Sequence, residues 1–293
     1  MSSPISAARQ TVYLNGCFLP LAEAKISVMD RGFLFGDGVY EVIPVFGHKL
    51  LRGDAHLRRL QHSLDRISLQ NPMSDSDWMQ LFARVLEKNP GENRAIYLQI
   101  SRGVYPSRDL TVKSGYPATV FMMVLPVKEI DLALLAKGIK AITIEDFRWD
   151  ACDIKSTSLV ASVMLRQQAT QAKVEDAILV KHGYVTEGTA SNLFLVDGNT
   201  LITPPTGHQL LSGITREIIL DLAAENNIPV IQRPISQQEL YDADEIWLAS
   251  STREIAPVVK LNDQLISKGV AGPMWQRMMG WYQLQKQAMQ VKE

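Results

Sequence analysis

Lys155 occupies an unusual place in this chain. It lies within FRWDACDIKSTSLVASV (147–163), after Cys-Asp-Ile and before Ser-Thr-Ser, where an extended pattern gives way to a helical one. Most lysines are solvated surface charges. One held at a strand end and facing a cleft can lose its proton through desolvation, and the free amine then attacks a carbonyl. The product of that attack is a Schiff base.

A carbonyl cofactor of the pyridoxal phosphate kind would exploit such a lysine. It would ask three further things of a protein: an anion site for its phosphate, a partner for its pyridine nitrogen and an anchor for the substrate. Candidates for all three are present, and each also has a plainer reading. Glu187, in KHGYVTEG, could face a ring nitrogen or merely cap a turn. Ile214 and Thr215 stand where Ser-Gly gives way to a helix whose N–H groups could meet a phosphate, while Thr215 could equally be an N-cap. Ser250, Ser251 and Thr252 make a hydroxyl-rich turn after EIWLA, suited to a phosphate or simply to water. Other chemistries find no support. The chain has no GxxxxGK[ST], GxSxG or HExxH, and its five histidines do not pair at metal-ligand spacing, so no metal is expected. Gly32, Gly36 and Gly38 of GFLFGDG are in the wrong order for a dinucleotide fingerprint and read as turn residues.

These residues need elements to position them. Residues 11–51 read as short strands with tight turns: TVYL, Asn15-Gly16, CFLP, then GVYEVIPV running into Phe46-Gly47-His48 and KLL. DAHLRRLQHSLDRI reads as a helix, with Asp54 as N-cap and Leu57, Leu60, Leu64 and Ile67 at helical spacing. A second helix is expected over 75–88, followed by AIYLQIS and ATVFMMVLPV as buried strands. KEIDLALLAKG (128–138) reads as a connector between an N-terminal domain, 1–127, and a C-terminal domain, 139–293. The latter opens with strand IKAITIEDF, the Lys155 turn and a helix over 158–172. Strands AILV and SNLFLV, the Asp197-Gly198 turn, TLITP, a helix near 215–225, strands IPVIQR and EIWLAS and a terminal helix follow. The mixture predicts α+β halves, not a regular βαβ alternation.

Composition narrows the setting. A net charge of -1 with no basic block argues against nucleic acid or an anionic membrane as partner. The longest apolar run, ATVFMMVLPV, is too short to span a bilayer, and MSSPISAARQ lacks the apolar core of a signal peptide. Cys17 and Cys152 read as free thiols, so a cytoplasmic location is expected.

EGTASNLFLVDGNTLITPPTGHQLLSGITREII (187–219) closely resembles the signature of the class IV, or fold type IV, pyridoxal-phosphate aminotransferases. RGFLFGDGVYEV (31–42), HLRRL (56–60), RWDACDIKS (148–156) and SSTREIAPV (250–258) resemble that family's other blocks, in its order and over nearly the whole chain. Within the family they are most similar to enzymes acting on D-amino acids such as D-alanine. The resemblance implies a two-domain α+β fold, with a smaller N-terminal α/β domain and a larger C-terminal, cofactor-binding domain around a barrel-like sheet. It also implies a homodimer, pyridoxal 5'-phosphate as cofactor, and amino-group transfer between an amino acid and a 2-oxo acid. By the same resemblance Lys155 forms the internal aldimine and then shuttles the proton at the substrate Cα. Glu187 keeps the pyridine nitrogen protonated, and Arg59, Ile214, Thr215, Ser250 and Ser251 hold the phosphate. Leu211 packs against the ring, and Arg148 and Asn192 support the lysine and ring. On their own, Arg59 reads as an exposed face of the 54–67 helix and Leu211 as plain core.

The substrate's carboxylate needs a trap, and SRGVYPSRDL (101–110) is the place for one. The D-amino acid enzymes carry in this loop an arginine and, two residues on, a histidine that reach the partner subunit's site. Arg108 matches the arginine after a one-residue gap, with Arg102 the alternative. The histidine's place falls on Leu110, which donates no hydrogen bond. Tyr40, in GDGVYEV, matches the tyrosine that completes the trap; alone it reads as a strand aromatic and Arg108 as a solvated charge. A branched-chain L-amino acid aminotransferase and an aminodeoxychorismate lyase of the same fold share the cofactor apparatus and stay open as alternatives. Lys155, Glu187 and Arg59 together argue against a non-catalytic carrier of the cofactor.

Overall fold

The computed structural model describes residues 10–290. Contacts divide the chain into two compact units. The first comprises the described residues through Lys128, together with Ile154–Leu159, Met289 and Gln290; the second comprises Glu129–Asp153 and Val160–Ala288.

In the first unit the elements are β1 (Thr11–Leu14), β2 (Cys17–Pro20), α1 (Arg31–Phe35), β3 (Gly38–Phe46), β4 (Lys49–Leu50), α2 (Gly53–Arg66), α3 (Asp75–Glu87), β5 (Asn93–Ser101) and β6 (Thr119–Pro126). The six strands form one sheet in the order 2-1-6-5-3-4, antiparallel throughout. Asn15 and Gly16 both take positive φ, 47° and 96°, the turn whose twist matches a two-residue hairpin. On β3 the alternation is clear: Val39, Glu41 and Ile43 are fully buried, while Tyr40 and Val42 are half-buried. Leu57, Leu60 and Leu64 of α2 and Trp78, Leu81, Phe82 and Val85 of α3 complete the core.

Asp54 is not an N-cap. Arg52, in the left-handed region at φ 52°, is the N-cap two residues earlier and has no side-chain cap bond. Asp54 thus falls in the first turn, where its exposed carboxylate suits the helix dipole and pairs with Arg58 at 2.7 Å. For α3 the cap is Ser74, which shares a reciprocal capping box with Asp77.

The second unit holds α4 (Leu132–Leu135), β7 (Ile139–Glu145), α5 (Val160–Gln171), β8 (Asp176–Lys181), β9 (Tyr184–Gly188), β10 (Asn192–Asp197), β11 (Thr200–Thr203), α6 (Ile214–Glu225), β12 (Val230–Gln232), α7 (Glu239–Asp242), β13 (Glu245–Ser250), β14 (Glu254–Leu261), β15 (Gln264–Leu265) and α8 (Pro273–Gln290). Its sheet runs 12-11-10-13-14-7-8-9, with β15 on β14. Parallel pairs (β7 with β8 and β14, β11 with β12) mix with antiparallel ones. Strands β9 and β10 lie five places apart in that order, yet only Thr189–Ser191 joins them. Five steps across a flat sheet cover about 24 Å; a link this short spans at most about 14 Å. The sheet must therefore curl back on itself, and the Gly188 N–H donates to the Ser191 C=O at 2.6 Å where it does so. Buried inside are Ala141, Ile178, Val185, Leu193, Leu195, Ile202, Ile246, Leu248, Val258 and Leu261. Each large aliphatic side chain so covered contributes about 1.5–3 kcal/mol. This is the barrel-like core that the family resemblance implies. The sequence pattern alone does not indicate strands β9 and β14.

Candidate active site

Ile154–Leu159, expected in the C-terminal domain, runs instead along β3 of the first unit. The Tyr40 N–H donates to the Lys155 C=O at 2.9 Å, the Thr157 N–H to the Gly38 C=O at 2.9 Å, and the Lys155 N–H to Ser63 Oγ at 3.1 Å. Gly36 turns the chain beside it in the left-handed region, where a Cβ would meet Ser158 Oγ at 2.5 Å. Lys155 is thereby fixed at its backbone on both sides, and its Nζ stands 4.2 Å from the centre of the Tyr40 ring. The Tyr97 ring lies 5.8 Å beyond on the same sheet face.

The opposite face of β3 presents Glu41 to α2. Both carboxylate oxygens accept from Arg59, and Oε2 also lies 2.7 Å from His56 Nδ1. Arg59 is therefore buried, not an exposed helix charge. Burial pushes the Glu41 carboxyl up, but the Arg59 guanidinium outweighs it and holds the group well below the usual range. His56 is held down by burial, with Glu41 opposing. Sequence reasoning passed over Glu41. Its signal was a charge in register with Val39 and Ile43, which demands a buried partner.

Arg102 is a structural staple. It binds both oxygens of Asp37, at 2.8 and 3.0 Å, and the carbonyls of Ile67 and Ser68. Arg108 is exposed and stacks over Phe35, 5.1 Å from the ring centre; Leu110 is exposed beside it. Of the two loop arginines, only Arg108 presents its guanidinium at the surface.

In the second unit Glu187 is buried on β9, not in a turn. Arg148 Nη1 donates to its Oε1 at 2.6 Å, while Oε2 accepts from the Leu211 N–H at 3.2 Å and from Asn192 Nδ2 at 3.3 Å. Asn192 also donates to the Leu211 C=O at 2.8 Å. Arg148 is braced in turn by Asp146, which accepts from Thr186. Burial raises the Glu187 carboxyl above its ordinary value, and Arg148 only partly offsets this. Leu211 is half-buried. Gly213 sits at the N-cap of α6 and caps nothing with a side chain; a Cβ there would stand 1.9 Å from Asn192 Oδ1. Ile214 and Thr215, both buried, form the first turn. Ser250 ends β13, its Oγ accepting from the Arg253 N–H at 3.3 Å, and Ser251 follows in the turn.

Residues 38–261 match the family model described as amino-transferase class IV. The chain belongs to the class IV aminotransferases. It is 35% identical over 263 residues to the D-alanine aminotransferase of Bacillus licheniformis, covering 90% of this chain and 92% of that one. Among solved structures it resembles a branched-chain aminotransferase of Thermoproteus uzoniensis with norvaline (26% identity, TM-score 0.86, 96% and 95% coverage). The branched-chain amino acid aminotransferase of Escherichia coli is likewise similar, at 26% identity, with a TM-score of 0.85 and coverage of 94% and 93%.

The activity of a class IV aminotransferase is pyridoxal-phosphate-dependent transamination, and the donor set fits that cofactor. The first unit has an amine beside an aromatic ring; the second has a buried carboxylate with raised proton affinity and a helix N-terminus with no side-chain cap. These answer the aldehyde, the pyridine nitrogen and the phosphate respectively.

Proposed function

We propose that the enzyme transfers amino groups between D-amino acids, D-alanine among them, and 2-oxo acids, and that it works in the cytoplasm as a homodimer. One observation carries the substrate reading: the 35% identity to a D-alanine aminotransferase over 90% of the chain. The likeness to branched-chain enzymes is one of fold at lower identity.

Bound pyridoxal phosphate supplies the electron sink. Lys155 Nζ would hold the cofactor at its aldehyde and would move the proton at the substrate Cα. Glu187 would hold the proton at the ring nitrogen, a role suited to a carboxyl that burial has made more basic. Asn192 and Arg148 hold Glu187 in place, and Leu211 would support the ring. The N–H groups of Ile214 and Thr215, the hydroxyls of Ser250 and Ser251 and the guanidinium of Arg59 would hold the phosphate. Tyr40 and Arg108 receive the substrate carboxylate.

A coupled assay with D-alanine, L-leucine and aminodeoxychorismate separates the readings. D-alanine should be the best amino donor. Faster turnover of L-leucine would transfer the reading to a branched-chain enzyme, and pyruvate released from aminodeoxychorismate would make it a lyase. Borohydride reduction of the yellow holoenzyme followed by peptide mapping should label Lys155 and no other lysine.

A further inference from the structure

We infer that Arg31 is a positioning residue for recognition of the substrate carboxylate: it pins the loop that carries Arg108 and shares with Arg108 the ring of Phe35. The inference rests on the reading of Arg108 given above and adds how that guanidinium is held.

The connection from β5 to β6, residues 102–118, contains no helix or strand. Connections longer than about 15 residues are uncommon in compact domains unless they carry function. Residues 106–108 and 110–117 of this one are exposed, so its own structure gives Arg108 no fixed place. Arg31 supplies one. It opens α1, where Asp30 caps the helix by accepting from the Gly32 N–H at 2.8 Å. Its backbone N–H donates to the Gly103 C=O at 2.9 Å, at the root of the loop. Its guanidinium, in a residue only 3% exposed, uses all three nitrogens. Nε donates to Asp37 Oδ2 at 2.8 Å, Nη1 to the Asp109 C=O, and Nη2 to the Leu110 C=O at 3.2 Å. Arg31 thus holds the two residues that follow Arg108.

Phe35 completes the arrangement. It stands one turn after Arg31 on α1, so the two side chains share a face. The guanidinium carbons of Arg31 and Arg108 lie 5.0 and 5.1 Å from the centre of its ring. Arg31 also lies 4.8 Å from the centre of the Tyr105 ring, whose hydroxyl donates to the Lys113 C=O at 2.6 Å farther along the loop. The task calls for a planar fork. A lysine ammonium is a point charge and does not span a carboxylate and two successive carbonyls in one plane. Buried, and with its charge facing Asp37, Arg31 does not touch substrate; it acts through the place it gives Arg108. A trap already in place has less to order when the carboxylate arrives.

The test sets KM against kcat in the holoenzyme, with D-alanine compared to isopropylamine, which carries a methyl group in place of the carboxylate. Arg31→Lys should raise KM for D-alanine about tenfold with kcat little changed, and should leave isopropylamine unaffected. Propionate, which keeps the carboxylate and lacks the amine, should bind about tenfold more weakly by calorimetry. In case Arg31→Lys does not fold, Phe35→Leu keeps the bonds of Arg31 and removes the shared ring. It should give the same selective loss, and Phe35→Tyr, which keeps the ring, should match the unaltered protein. If Arg108→Ala itself fails to separate the two amines, the carboxylate reading and this inference fall together. If Arg108→Ala separates them while Arg31→Lys and Phe35→Leu leave KM unchanged, or impair both amines equally, this inference alone is overturned.

Discussion

Glu41 and Arg59 are joined by two hydrogen bonds, Nε to Oε1 at 2.8 Å and Nη2 to Oε2 at 2.7 Å, almost wholly shielded from water. One comes from the inward face of a strand and the other from a helix. The pair fixes the guanidinium in one plane, which is the preparation a fork-shaped ligand for phosphate needs.

Glu41→Gln should therefore act twice. Leaving a buried guanidinium without its counter-charge should destabilise the cofactor-free protein by about 3 kcal/mol in urea titrations. Release of Arg59 should also raise the dissociation constant for pyridoxal phosphate at least tenfold, about 1.4 kcal/mol. Loss of stability with undiminished cofactor affinity would remove Arg59 from the phosphate site.

His56 gives a pH signature. Its folded value is depressed below 6.5 by burial, so under acid conditions the unfolded chain takes up a proton that the folded chain refuses. Stability is then full above pH 6.5 and is lost as pH falls through the folded value. Glu41, also depressed, adds its loss only below about its ordinary 4.5. Between pH 7.5 and 5 the urea midpoint of the unaltered protein should fall more than that of His56→Asn. Parallel curves would show that His56 does not titrate out of the fold.

Glu187→Gln tests the ring-nitrogen role. An amide holds no proton for the pyridine, and Arg148 keeps its bonds to Asp146, so the fold and cofactor should persist. The half-reaction with D-alanine should slow at least tenfold, about 1.4 kcal/mol in the barrier. Near-normal rates with cofactor bound would assign that role elsewhere.

Arg108→Ala should leave stability within about 0.5 kcal/mol, since the side chain is exposed and only stacks on Phe35. KM for D-alanine should rise steeply, while an amine without a carboxylate should be little affected. Leu110, exposed two residues on, offers no second donor, so weak binding or broad specificity is the expected baseline. Equal losses for both substrates would end the carboxylate assignment.

The sequence by itself determined most of the local structure. Hairpin turns such as Asn15-Gly16, the leucine spacing of α2 and the apolar runs of β5 and β6 depend on residues close together in the chain. Lys155 and Glu187 stand out as candidates for a related reason, because the blocks that carry the family resemblance are contiguous; on its own Glu187 reads as a turn cap. What spans distance was not legible. That Arg59 is buried depends on Glu41, eighteen residues earlier, facing α2, and that Glu187 lies on a strand depends on pairing with β8 inside a curled sheet. The placing of Ile154–Leu159 against β3 likewise rests on hydrogen bonds to residues more than a hundred positions away. Periodicity reports which side of an element is apolar; only tertiary packing decides what that side meets, and hence which charges lose their water and change their chemistry.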